Sequence, residues 1–65
     1  MPNLAKDLRK LRKSKKFSQE KLARLSNVAN NTIIKIEVGE NKNPTLGALK
    51  KIAEALNISA DYLIQ

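Results

Sequence analysis

Ser18-Gln19-Glu20-Lys21-Leu22-Ala23-Arg24-Leu25-Ser26-Asn27-Val28-Ala29-Asn30-Asn31-Thr32-Ile33-Ile34-Lys35-Ile36-Glu37 reads as a helix, a tight turn and a second helix. Ser18 suits an N-cap, because its hydroxyl can accept from an orphaned backbone N–H of the first turn. Leu22 and Ala23 then face inward. Asn27 closes the first of the two helices, asparagine being the non-glycine residue that best tolerates the left-handed conformation of a sharp turn. Val28 is apolar where a turn is ordinarily polar, which makes it a plug between the helices. Beyond it, Ile33 and Ile36 share an inward stripe, and Asn30, Asn31, Thr32 and Lys35 cannot lie on that stripe. A helix that offers amides, a hydroxyl and an ammonium near its N-terminus is suited to a polar surface.

The charge balance indicates which surface. The 65 residues carry a net charge of +7, a high value for so small a chain and one that implies a polyanionic partner. Residues 1–16 hold +6 of it, through Lys6, Arg9, Lys10, Arg12, Lys13, Lys15 and Lys16 against Asp7. Residues 17–28 add +1 and the remainder balances. A solvated basic helix face is the plainer alternative. Two helices joined by a sharp turn, the second with polar groups at its start, are also the geometry with which proteins enter the major groove of DNA.

Working outward, Leu4, Leu8 and Leu11 follow i, i+4, i+7 spacing and predict an amphipathic helix from about Asn3 to Ser14. Asn3 is its expected cap, and Asp7 sits early, where the helix dipole favours a negative charge. Lys15-Lys16 breaks that helix, and Phe17 is expected to anchor the core. Val38-Gly39-Glu40-Asn41-Lys42-Asn43-Pro44 reads as a loop, with Gly39 ending the third helix. Its Asn41, Lys42 and Asn43 supply donors suited to a phosphate, although a surface loop is polar in any case. Thr45 caps a fourth helix to about Leu56, with Leu46, Leu49, Ile52, Ala53 and Leu56 as the expected buried stripe. Gly47 costs about 0.5–1 kcal/mol relative to alanine there, a cost that close packing would explain. Ser59 caps a short fifth helix from Ala60 to about Ile64. The expected class is all-α, five helices over residues 1–65 in one domain, with no strand and no repeat.

Several function classes drop out. The chain has no Cys and no His, which removes disulfides, thiolate metal sites, the usual neutral-pH base and the commonest metal ligand. No nucleophile–base set, phosphate-cradling glycine loop or metal-ligand cluster is present, so neither an enzyme nor a cofactor or metal is expected. No apolar run reaches the roughly 18 residues of a membrane span, and the N-terminal residues lack the apolar core of a signal peptide. A cytoplasmic protein is expected. A basic helix lying on a membrane is disfavoured because its leucine stripe is needed inside.

Leu11-Arg12, Phe17 to Ala23, Thr32 to Gly39, Asn43 to Leu46 and Ile52 to Leu56 together resemble the phage repressor/Cro-like, xenobiotic-response-element-type helix-turn-helix family. The resemblance extends from about Leu4 to Ile64 and matches several segments in order and spacing. It implies a five-helix repressor-like bundle with the third helix in the major groove and the second across the backbone. It assigns Asn30, Asn31, Thr32 and Lys35 to base edges. Chemistry agrees, since asparagine pairs with adenine, the threonine methyl with thymine, and lysine with guanine. Gln19 takes a phosphate and braces the third helix, beside Ser18, Lys16 and the 41–43 loop. Arg12 and Glu37 match an ion pair between the first and third helices. Asn27 replaces the usual turn glycine, Val38 stands where a polar residue is frequent, and Ile34 faces outward on the third helix, where it either touches a thymine methyl or is merely exposed. Ala60, Tyr62 and Gln65 match the dimer contact.

The function so implied is a sequence-specific transcriptional regulator, a repressor on a palindromic operator, binding double-stranded DNA as a homodimer. An antitoxin or a restriction–modification controller of the same fold, working with a protein partner, is the alternative. A protein-interaction module that has lost DNA binding is a third, against which the paired asparagines and Gln19 argue.

Overall fold

The computed structural model describes residues 3–64, of Ile64 the backbone alone. It contains five helices: α1 (Leu4–Ser14), α2 (Gln19–Ser26), α3 (Asn30–Glu37), α4 (Leu46–Ala55) and α5 (Asp61–Ile64). No strand occurs among the described residues. α1 packs on α3 and α5, α2 on α3 and α4, and α4 on α5.

Local chemistry explains each boundary. Asn3 Oδ1 accepts from the Lys6 amide at 3.1 Å, Ser18 Oγ from Lys21 at 2.9 Å and Thr45 Oγ1 from Ala48 at 3.1 Å. Each bond satisfies a donor that the first turn of a helix leaves orphaned. Ser59 Oγ accepts from the Asp61 amide at 3.3 Å at the entrance to α5.

The first four helices end in one way. A residue with positive φ follows each: Lys16 (61°), Asn27 (56°), Gly39 (81°) and Asn57 (59°). Its amide, and the amide of the next residue, turn back to carbonyls of the last turn. After α1 these bonds run from Lys16 to Lys13 at 2.9 Å and from Phe17 to Arg12 at 3.1 Å. After α4 they run from Asn57 to Glu54 at 3.1 Å and from Ile58 to Ala53 at 3.0 Å. This is the Schellman arrangement. Glycine and asparagine take that conformation readily, whereas lysine takes it at a cost.

The core is the meeting of the inward stripes. Leu8, Leu22, Ile33, Ile36, Ile52 and Leu56 are fully buried, with Ala23, Leu49, Ala53 and Leu63 around them. Phe17 and Val28 pack against this cluster, the anchor and plug that their positions imply. Ser26 is buried too, its hydroxyl donating to the Leu22 carbonyl at 2.7 Å.

Two expectations for α4 are corrected. Leu46 is 52% exposed and is not part of the buried stripe. It lies in the first turn, at the edge of the stripe defined by Leu49, Ile52 and Ala53. Gly47 is not close-packed: a Cβ there would meet nothing within 4 Å.

Candidate nucleic-acid interface

α3 is positioned from its C-terminal end. The Glu37 carboxylate has no exposed surface and accepts from Arg12 Nε at 2.7 Å and Arg12 Nη2 at 2.9 Å. Gln19 Nε2 adds a third bond at 3.2 Å, and Arg12 Nη1 donates to the Phe17 carbonyl at 2.7 Å. One buried carboxylate thereby ties α1, α2 and α3 together. The paired fork geometry is the strong form of a charge-assisted hydrogen bond. Hydrogen bonding to Glu37 raises the Arg12 pKa above its ordinary value; burial opposes the shift, and the Glu37 charge adds to it.

Arg9 also joins this cluster, unforeseen from the sequence. Its Nη2 donates to the Glu37 backbone carbonyl at 3.2 Å, and its Nε lies 3.8 Å from Oε1. Its side chain remains 51% exposed. The available signal was its place three residues before Arg12, which puts both guanidiniums on one side of α1. The carbonyl it meets belongs to the last turn of α3, where a cation is favoured by the helix dipole.

The other end of α3 is open. Its N-cap is Ala29, which makes no side-chain cap bond. Asn30, Asn31 and Lys35 are exposed and Thr32 is half-buried. Asn31, Lys35 and Val38 follow i, i+4, i+7 spacing and form one outward row, with Val38 60% exposed at its end.

Polar groups flank the row. Ser18 is exposed and Gln19 half-buried at the start of α2, with exposed Lys15 and Lys16 just before them. On the other side, the Glu40 and Asn41 amides both return to the Lys35 carbonyl, at 2.9 and 3.0 Å. Asn41 Oδ1 accepts from the Asn43 amide at 3.1 Å, a local turn that leaves Lys42 and Asn43 exposed. Lys6, Arg9 and Lys42 line one groove between α1 and this loop. At the far end of the chain Ala60 packs against the core and Tyr62 is 55% exposed. Gln65 lies outside the described residues.

Among the described residues no group of His, Cys, Asp or Glu could hold a metal ion. No described helix is long and apolar enough to cross a membrane.

The helix-turn-helix family profile matches residues 8–63. No curated protein sequence matches the chain. Among solved structures, SinR, the master regulator for biofilm formation, in complex with DNA, is 27% identical with a TM-score of 0.91. That match covers 95% of this chain and 98% of the other. The restriction-modification controller protein C.AhdI from Aeromonas hydrophila is 36% identical with a TM-score of 0.87, over 94% of this chain and 91% of that one. A helix-turn-helix transcriptional regulator from Vibrio cholerae is 35% identical with a TM-score of 0.86, over 95% of this chain but 34% of its own.

Proposed function

The chain belongs to the helix-turn-helix family and is a DNA-binding transcriptional regulator, and we propose that it acts as a repressor, binding a palindromic operator as a homodimer. α3 lies in the major groove, and Asn30, Asn31, Thr32 and Lys35 meet base edges. The observation that carries this reading is the split character of α3: one end is fixed to α1 and α2, the other presents the exposed amides of Asn30 and Asn31, and the Lys35 ammonium is exposed one turn further along the same outward row. Ser18, Gln19, Lys16, Asn41, Lys42 and Asn43 hold phosphates on either side. Those contacts set register, and the contacts of α3 set sequence. A single recognition helix spans too few base pairs for useful specificity, so a second copy binds about 34 Å away, one helical turn along the duplex. Tyr62 and Ala60, with Gln65, are assigned to the contact between copies. The protein performs no catalysis in this reading and works in the cytoplasm.

Selection from a random duplex library at near-physiological salt, with Asn31→Ala in parallel, tests it. The expected result is a palindrome from which the variant loses one defined base position. Salt-sensitive binding with no enriched sequence would overturn the operator reading.

A second reading has support in the likeness to the restriction-modification controller, the most similar in sequence of the three structures above. Here the chain would control such an operon, or serve as an antitoxin, with a protein partner. A partner that co-purifies and alters the selected sequence would favour it.

A further inference from the structure

Ile34 follows Asn31 by three residues and precedes Lys35 by one, which sets it at the edge of the outward row of α3 and outside the inward stripe. It is half-buried, yet it is absent from the hydrophobics that pack on the core. Leu4, Leu11, Phe17, Val28 and Ile58, the other large aliphatic or aromatic residues of intermediate exposure among the described residues, all pack there. Ile33 and Ile36 complete the inward stripe of α3 without it. Helix propensity gives no reason for it either, since a β-branched side chain loses χ1 freedom in a helix. An apolar group thus stands among the base-facing amides with no partner in the core.

We propose that Ile34 is a specificity-determining residue that packs against the C5-methyl group of a thymine in each half-site. The major-groove edge of thymine carries that methyl, the one apolar feature among the four unmodified bases, and aliphatic side chains read it by contact. Asn31 and Lys35, one turn apart beside it, supply hydrogen bonds to neighbouring bases, so Ile34 adds a thymine requirement within the same short stretch. This inference rests on the operator reading, and the experiment separates the two.

The operator selected by the full chain is resynthesised with deoxyuridine at one thymine position at a time, in both half-sites. Uracil keeps every hydrogen bond of thymine and lacks only the methyl group. At one position the wild-type protein is expected to lose about fourfold in affinity per half-site, the value of one buried methyl-sized group. Ile34→Ala is expected to bind more weakly overall and to be indifferent to uracil at that position. Ile34→Val retains part of the discrimination. Melting followed by circular dichroism checks that both variants fold. A selected operator with no methyl-sensitive thymine, or one whose sensitivity survives in Ile34→Ala, overturns the assignment of Ile34 and leaves the operator reading standing. Failure of the wild-type chain to enrich any sequence overturns both.

Discussion

At its C-terminal end α3 is held by three side chains from two other helices, whereas at its N-terminal end no side chain caps it. The eight-residue helix is about 12 Å long, so the two regimes lie barely two turns apart. Anchoring at one end fixes where the helix points. At the other end Ile33 still packs in the core, but Asn30 and Asn31 are exposed, and they can be chosen for what they meet outside. Stability and recognition are therefore separable along one short element, and substitutions should sort by which end they touch.

The largest effect is expected at the clamp. Glu37→Ala leaves Arg12 buried without its carboxylate, and breaking a buried pair in this way costs about 3–5 kcal/mol. Thermal melting should show a large fall; a change within error would mean that the clamp does not hold α3. At the open end Asn31→Ala should leave the melting temperature nearly unchanged, alanine being the better helix former. Its affinity for the operator should fall by about 1–3 kcal/mol through loss of discrimination at one base. An equal loss on every sequence would move Asn31 from base to backbone.

Lys16 tests whether the same separation holds outside α3. Lys16→Gly should raise stability by about 1 kcal/mol, because glycine has no Cβ to strain at φ 61°. It should also weaken binding to all sequences and lower the salt slope by about one unit. Unchanged binding would leave the strained lysine without a role at DNA. The smallest effects concern local helix chemistry. Ala29→Ser supplies the cap that α3 lacks, with an expected gain of about 0.5–1 kcal/mol in denaturant unfolding. Gly47→Ala should gain about as much, since nothing stands where the new methyl group would go.

What could be read in the chain follows the range of the interactions. Caps at Asn3, Ser18 and Thr45 and the left-handed Asn27 are decided within four residues, and local chemistry sufficed for them. The stripes of α1, α2 and α3 were legible because their period is intrinsic to the helix. The 25-residue separation of Arg12 and Glu37 has no such local sign, and their pairing was suggested by family likeness. Arg9 had only its place three residues before Arg12 as a sign, and no likeness pointed to it. Leu46 shows the limit of periodicity: spacing says which way a side chain faces, but the end of a helix can project beyond what it packs on. The left-handed conformation of Lys16 has no sign in the sequence beyond the break at Lys15-Lys16, because lysine carries no turn signature.

The packing of α5 on α1 brings Leu63 into the same core as Leu8. A ribosome adding about 5–20 residues per second delivers Leu63 seconds after Leu8, whereas helices form within about a microsecond. During synthesis α1 therefore waits, without one of its two packing partners, until almost every other residue described here has been made. A nascent chain halted after α4 would leave uncovered the part of the leucine side of α1 on which α5 packs.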